Sequence, residues 1–269
     1  DLDGTSGNGR QAFKYRIFPE RSRAEFEHFL LRPSGQDQGT AFMRDELTQT
    51  FGAEAGAESQ AARPCVVFVN GEYWGLHYLK EKEHAEFVAY YADHPADDLD
   101  YLEGYASPRA GDLAHYQAMI DFIGTHPLAV ATNYAVVQSR MEVASYIDYK
   151  ANEIFFYRWD IGNHRLWRPR TPEGRWRWLQ FDNDVSWGGF WAEQPAWGFN
   201  MLAADLTPSG SLHDHNNETT TFLLRHLMES PEFRRDFINR FQDLLNTLFL
   251  PSHTLARVDQ LAAQLQPEM

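Results

Sequence analysis

Residues 65–80 read CVVFVNGEYWGLHYLK, and this stretch decides the first part of the fold. An apolar run from Cys65 to Val69 meets Asn70-Gly71, the residue pair most typical of a type I′ turn between antiparallel strands. The stretch therefore predicts a hairpin whose second strand runs from Glu72 to Lys80. Cys65 is the sole cysteine, and its place in the apolar run predicts a buried strand residue rather than a disulfide or a thiolate metal site.

The residues before this hairpin add strands and one helix. Alternating apolar and basic residues from Phe13 to Phe18 predict a half-buried strand, and Phe29–Arg32 predicts another. After the turn Pro33-Ser34-Gly35, apolar residues at helical spacing predict a helix from Thr40 to Phe51. The first part of the chain is therefore expected to be an antiparallel sheet with one helix.

The residues after Lys82 show mainly helical periodicity. One interruption is residues 159–184, where aromatic and polar residues alternate around the turn Pro172-Glu173-Gly174, as in a hairpin. The sequence thus predicts an α+β fold with a sheet part over residues 1–81 and a mainly helical part over residues 82–269. The predicted helices of the second part are Glu83–Tyr91, His115–Gly124, Val143–Tyr157, Thr219–Glu229, Pro231–Phe249 and Ser252–Leu265.

The composition argues against several classes of function. The chain has 38 acidic and 24 basic residues and a formal charge of −14, which repels the phosphates of nucleic acids. The same charge favours a basic protein partner or bound cations, although acidic surfaces also serve solubility. No apolar run reaches the about 18 residues of a membrane span, so we expect no membrane insertion. The chain starts at Asp1 without a signal-peptide pattern, which suggests that it is a fragment of a longer protein.

Several stretches, in order over nearly the whole chain, carry a family resemblance: Leu31–Asp37, Met43–Leu47, Val69–Leu76, Tyr146–Tyr149, Trp159–Asn163, Trp176–Asp184 and Leu244–Thr247. These stretches resemble the spore-coat CotH family of atypical protein kinases. The resemblance implies a protein-kinase-like fold with a small nucleotide-binding sheet lobe and a larger helical lobe. It also implies ATP and Mg²⁺ or Mn²⁺ as cofactors, transfer of the γ-phosphoryl group to Ser or Thr hydroxyls of a protein, and a secreted bacterial protein at the cell or spore surface. Together with the acidic charge of the chain, this predicts a basic, Ser-rich protein substrate.

By this resemblance, Asp160, just past a predicted helix, is the catalytic carboxylate that orients or deprotonates the acceptor hydroxyl. Asp182 matches the metal-binding position of the family, and Asn163 supplies a neutral oxygen to the same ion. Asp184 either assists the metal or only holds its loop. Carboxylate and amide oxygens suit Mg²⁺ or Mn²⁺, yet an Asp-x-Asp sequence at a strand end is also a common turn or helix cap.

The nucleotide-binding residues are predicted on the first part of the chain. Lys14 follows a glycine-rich loop at residues 3–9 and is chosen over Arg16 as the phosphate contact, although both side chains also suit a plain sheet surface. Glu46 is predicted to pair with Lys14, as a helix glutamate does in kinases, or else to form a solvated pair within its helix. Glu81, where a kinase chain passes the adenine, either binds ribose or begins a helix as a first-turn acid.

The sequence departs from the family pattern beside the predicted catalytic carboxylate. Arg158 stands where family members commonly carry Asn, and Asn163-His164 stands where they carry two Asn. An imidazole is a poorer Mg²⁺ ligand than an amide oxygen, so we expect His164 to act at the surface or behind the ligands. These departures make a degraded or altered active site the alternative to an active one.

The cluster His213–Asn217 contains two imidazoles and a carboxylate, which suggests a zinc site. On a strand the two imidazoles would point apart, and the cluster precedes Glu218-Thr219 as a helix-capping loop does. We therefore expect no zinc there.

Three functions remain. The first is an ATP-dependent protein Ser/Thr kinase, and the second is a catalytically inactive binding or adhesion module on the same fold. The third is a metal-dependent hydrolase that uses Asp160 and Asp182 as paired carboxylates, for which the sequence offers no further support.

Overall fold

A computed structural model of the protein describes residues 12–104, 106–188, 196–208 and 217–268. The fold is α+β, as the sequence predicts. The strands are β1 Phe13–Lys14, β2 Glu25–Phe26, β3 Phe29–Arg32, β4 Glu58–Ser59, β5 Ala62–Val69, β6 Glu72–Glu81, β7 Leu99–Glu103, β8 Ser107–Ala110, β9 Arg165–Pro169 and β10 Arg177–Gln180. The helices are α1 Arg44–Ala55, α2 Ala85–Ala92, α3 Ala114–Thr125, α4 Ala131–Gln138, α5 Val143–Phe155, α6 Met201–Asp205, α7 Glu218–Leu227, α8 Pro231–Leu245 and α9 Pro251–Leu265.

The predicted hairpin is confirmed as β5 and β6. Asn70 and Gly71 have φ values of 53° and 86°, the left-handed conformations that a type I′ turn needs. β6 lies between β3 and β5 and pairs with both in antiparallel register, so that Arg32 lies opposite Tyr78. Cys65 lies on β5 as predicted, but it is only half-buried.

The predicted hairpin of the second part is also confirmed, but it belongs to a larger sheet. β9 and β10 pair in antiparallel register, and the strand order around them is β4-β10-β9-β7-β8. The strands β7 and β8 were not predicted from the sequence. Asp100 is buried in β7 and pairs with Arg168 at 2.8 Å, so this strand lacks the alternation of a half-buried strand.

The pairing of β4 with β10 crosses the boundary that the sequence predicts between the two parts. β4 precedes residue 81, and its partner strand ends just before Asp182. The division into lobes at residues 81 and 82 stays a prediction. This pairing, in parallel register, ties α1 to the segment that follows β10.

Helix α1 begins at Arg44 rather than at the predicted Thr40. The buried Asp37 carboxylate accepts hydrogen bonds from the backbone N–H groups of Met43 at 2.8 Å and Arg44 at 3.0 Å. Asp37 therefore caps the helix from outside it, and residues 40–43 form the turn between cap and helix. β1 is likewise shorter than predicted and covers Phe13–Lys14.

The packing of α1 on α5 brings the two parts of the chain together. The rings of Phe51 and Phe156 lie 4.8 Å apart, and the Asn152 amide donates to the Thr48 carbonyl at 3.1 Å. The main hydrophobic core lies beyond, where α3, α4, α5, α7 and α8 pack around Trp176 and Trp178. None of the described helices combines the length and the apolar composition that a membrane span requires.

Candidate active site

The segment after α5 carries two of the predicted site residues. Tyr157 adopts a left-handed φ of 49° and ends the helical path, and the chain then turns so that the Asn163 N–H donates to the Asp160 carbonyl at 3.2 Å. The Trp159 N–H donates to the Val185 carbonyl at 3.3 Å. The segment that carries Asp160 and Asn163 therefore lies against the segment that follows β10.

The segment after β10 carries Asp182 and Asp184. Asp182 has a left-handed φ of 52°, which is uncommon for a residue other than glycine and is tolerated by Asp and Asn. The N–H of Asn183 donates to the Asp45 carboxylate at 2.9 Å, which fixes the turn against α1. Left-handed conformations at non-glycine residues concentrate at functional sites.

The two segments meet at Asn163 and Asp182. The Asn163 amide nitrogen lies 2.7 Å from the Asp182 carboxylate, whose side chain is 24% exposed. The structure thus brings together the carboxylate and the amide that were predicted to share a metal. Oxygen donors of these two types are the ones that Mg²⁺ and Mn²⁺ prefer, with water and phosphate oxygens as further ligands.

Asp184 is held by the chain on several sides. Its side chain is 3% exposed, pairs with Arg32 at 2.8 Å, and accepts a hydrogen bond from the Gln36 N–H at 2.8 Å. Burial and the neighbouring charge of Asp182 raise the pKa of Asp184. These contacts support the structural alternative for Asp184, that of holding its loop.

Arg32 is the basic residue that lies among the predicted metal-binding carboxylates. Its guanidinium donates to Asp182 and to Asp184, and it lies 3.9 Å from Asp45. Burial opposes its charge, but the carboxylates outweigh this effect and raise the pKa of Arg32 above its usual range. Arg32 was not predicted as a site residue, although it lies within the family-like stretch Leu31–Asp37.

Lys80 forms a second buried ion pair beside Arg32. Its ammonium is fully buried and lies 2.5 Å from Asp45 and 3.0 Å from Glu46. Burial opposes ionisation of Asp45, yet the charges of Lys80 and Arg32 outweigh it and hold the pKa of Asp45 below its usual range. Burial raises the pKa of Glu46 to about 7, with Lys80 opposing the rise and the charge of Asp45 adding to it.

The predicted pair of Glu46 with Lys14 is therefore wrong. Lys14 lies at the short strand β1, where its side chain is 78% exposed and pairs with Glu25 at 3.7 Å. Lys80, near the end of β6, takes the place beside Glu46 through its ion pairs with Asp45 and Glu46 of α1, whereas β1 pairs with β2. A contact of Lys14 with nucleotide phosphates stays a prediction.

Glu81 is buried at the end of β6. Its carboxylate accepts hydrogen bonds from the Tyr91 hydroxyl at 2.6 Å and from the Ala61 N–H at 3.0 Å, and it lies 3.8 Å from Arg21. Glu81 thus joins β6 to α2 and to the start of β5. Its contact with ribose stays a prediction.

Of the residues that depart from the family pattern, Arg158 is packed inside the protein and His164 is partly exposed. Arg158 is fully buried, and its guanidinium donates to the Glu153 carboxylate and to the Asn163 carbonyl. Desolvation in packed surroundings lowers the pKa of His164 to about 4, so its imidazole is neutral at pH 7. Neither side chain replaces Asn163 beside Asp182.

Other predicted features fall outside the part of the chain that the structure describes. The glycines of residues 3–9 and the imidazoles of His213 and His215 are among them. Within the described residues, no group of three or more His, Cys, Asp or Glu side chains is placed to hold a metal. A site built on Asp182 and Asn163 therefore needs the oxygens of a nucleotide or water to complete it.

The sequence also matches a known protein family. Residues 4–269 match the family model described as CotH kinase protein. The chain belongs to the CotH kinase family. The family is kinase-like in fold, and membership suggests atypical kinase activity with ATP and a divalent metal. A search of curated proteins gave no match for this CotH family member.

Proposed function

We propose that this CotH family member transfers the γ-phosphoryl group of ATP to a Ser or Thr hydroxyl of a protein. The observation that carries the proposal is the contact between Asn163 and Asp182, which joins the segment of Asp160 to the predicted metal carboxylate. Phosphoryl transfer depends on positioning and on compensation of phosphate charge more than on covalent participation by the enzyme. The site offers groups for both tasks.

In this proposal, Asp182 and Asn163 hold Mg²⁺ or Mn²⁺. The ion, when bound, supplies positive charge to the phosphate oxygens. Arg32 lies beside Asp182 and is the described cation best placed to contact the nucleotide phosphates. A guanidinium suits this role because it stays charged and binds phosphate oxygens in pairs.

Asp160 is assigned to the acceptor hydroxyl. Its side chain is partly exposed and lies on the turn that ends with Asn163. A carboxylate there orients the Ser or Thr hydroxyl and accepts its proton as the oxygen attacks the γ-phosphorus. The bond between the γ-phosphorus and the β–γ bridging oxygen breaks, and ADP is the leaving group.

The formal charge of −14 favours a basic protein substrate with Ser residues. We also propose that the protein acts at the cell or spore surface, as the family resemblance implies.

The test is incorporation of labelled phosphate from ATP into a basic Ser-rich protein, with Mg²⁺ and with a chelator. We expect metal-dependent labelling by the wild-type chain and a loss of 100-fold or more in Asp160→Ala and Asp182→Ala, on the order expected for removal of a group essential to transfer. Asp243→Ala, on the exposed surface of α8, is the control and should label as the wild type does. Equal labelling by all variants would refute the assignment.

A second candidate is a binding module without catalysis. The observation that favours it is the ion pair of Arg32 with both Asp182 and Asp184, in which an internal cation compensates the predicted metal carboxylates. This function predicts no rise in melting temperature with ATP and Mg²⁺, whereas a ligand that binds the folded state raises it.

A further inference from the structure

Arg158 lies two residues before Asp160 and has no exposed surface. Its guanidinium donates to the Glu153 carboxylate on α5, to the Tyr149 hydroxyl at 3.1 Å, and to the backbone carbonyl of Asn163. One side chain therefore binds both the helix that precedes the Asp160 turn and the residue that ends this turn.

The pair of Arg158 with Glu153 continues into a line of buried charges. Glu153 lies 2.9 Å from the Lys150 ammonium, and Lys150 lies 3.1 Å from Asp205 on α6. Burial opposes ionisation of Glu153, but Lys150 and Arg158 outweigh it and lower the pKa of Glu153. Desolvating these charges costs several kcal/mol per ion unless each is paired and hydrogen-bonded. The contacts that these residues make must therefore offset the desolvation cost.

Asn163 is fixed from three directions by these contacts. Its N–H donates to the Asp160 carbonyl at 3.2 Å, its carbonyl accepts from Arg158, and its side-chain amide lies 2.7 Å from Asp182. The backbone bond to Arg158 sets the direction of the peptide group, and the side chain is then directed to Asp182. A planar guanidinium with five donors can make these bonds at once, whereas an ammonium is a single point donor group.

We propose that Arg158 is a positioning residue that holds Asn163 against Asp182 and so prepares the metal-binding pair. This inference rests on the proposed function. In it, Arg158, which departs from the family pattern, supports the site. Outer contacts of this kind typically change metal affinity by about 10- to 100-fold when they are removed.

The experiment compares Mn²⁺ binding by the wild-type chain, Arg158→Met and Arg158→Lys in the presence of a non-hydrolysable ATP analogue, by electron paramagnetic resonance. We expect Arg158→Met to raise the Kd for Mn²⁺ by about 10- to 100-fold. Arg158→Lys keeps a charge beside Glu153 and is expected to fold, but to bind Mn²⁺ more weakly than the wild type. Tyr149→Phe removes another bond to the same guanidinium and is the control, with the affinity of the wild type.

A second readout is hydrogen exchange of the backbone amides of residues 159–164. Faster exchange is expected in Arg158→Lys and unchanged exchange in Tyr149→Phe. Wild-type affinity for Mn²⁺ and wild-type exchange in Arg158→Lys would overturn the positioning role. If the wild-type chain binds Mn²⁺ but transfers no phosphate, the proposed kinase function fails, while the affinities still decide the role of Arg158. If the wild-type chain binds no Mn²⁺, the hydrogen-exchange rates alone decide whether Arg158 positions Asn163.

Discussion

The Asn163 amide and the Asp182 carboxylate lie 2.7 Å apart, although they belong to segments that follow a helix and a strand. This contact is the first to be tested. Asn163→Leu removes the amide and should reduce the rise in melting temperature that Mg²⁺ and ATP cause, because weaker binding stabilises the folded state less at equal ligand concentration. Differential scanning fluorimetry measures this rise in melting temperature.

Asn246→Leu is the matched control for this experiment. Asn246 is exposed at the end of α8, so its substitution should leave the ligand-induced rise unchanged. A rise in Asn163→Leu equal to that of the wild type would remove Asn163 from the metal site.

Arg32→Met should make stability depend on divalent metal. The substitution leaves the carboxylates of Asp182 and Asp184 without their guanidinium, and loss of a charged hydrogen bond costs about 1.5–3 kcal/mol. We expect the free energy of unfolding in urea to fall by this amount without metal and to recover in part with Mg²⁺.

Arg44→Met is the control for the Arg32 prediction. Arg44 pairs with Asp37 at 3.0 Å near the start of α1, so its loss should lower stability without any recovery in Mg²⁺. Recovery of the same size in both variants would mean that Mg²⁺ acts on the whole surface rather than on Asp182.

Gly35→Ala should destabilise the protein. Gly35 has a left-handed φ of 58°, and an added Cβ would lie 2.2 Å from an Asp184 oxygen and 2.5 Å from an Arg32 nitrogen. We expect a loss of about 1–3 kcal/mol, typical of strain at such a backbone position. Gly39→Ala serves for comparison, because an added Cβ there meets no atom within 4 Å. Equal unfolding midpoints of the two variants would contradict the close approach.

Glu46→Gln should change how stability depends on pH. The pKa of Glu46 is raised from 4.5 to about 7 in the folded protein, so the folded state binds the proton more tightly than the unfolded state. The wild type therefore loses stability as pH rises through this window, and Gln, which does not ionise, avoids the loss.

Between pH 5 and pH 8, the stability of Glu46→Gln relative to the wild type should rise by about 2 kcal/mol, since one pKa unit corresponds to 1.36 kcal/mol. Urea unfolding at several pH values measures the difference. A constant difference across this range would show that Glu46 keeps an ordinary pKa.

Local sequence patterns predicted the elements that local rules decide. Asn70-Gly71 specified its turn because the needed φ values are cheap for these residues. The start of α1 was misplaced because the Asp37 carboxylate, seven residues before Arg44, decides it. β7 was missed because Asp100 interrupts the apolar pattern with a charge whose partner, Arg168, is distant in sequence.

Some residues of the candidate site were likewise predicted from the sequence, and others were not. Asp182 and Asn163 were found from the family-like stretches, whereas the pairing of Arg32 with Asp182 joins residues 150 positions apart that no local period connects. The sequence does indicate a buried position for Lys80, because strand alternation places it on the same face as the buried Tyr78. A lysine on a buried strand face needs a carboxylate partner, and α1 supplies Asp45 and Glu46.

The enclosure of Lys80 between Asp45 and Glu46 governs how the protein responds to acylating reagents. Such reagents react with a neutral, accessible amine, whereas the Lys80 ammonium is fully enclosed and the two carboxylates, against the effect of burial, raise its pKa. Lys14, which is 78% exposed, is open to the same reagents. An amine-directed nucleotide probe would therefore label Lys14, because Lys14 is accessible, and would not label Lys80. The labelled position would not by itself identify the residue that contacts the phosphates.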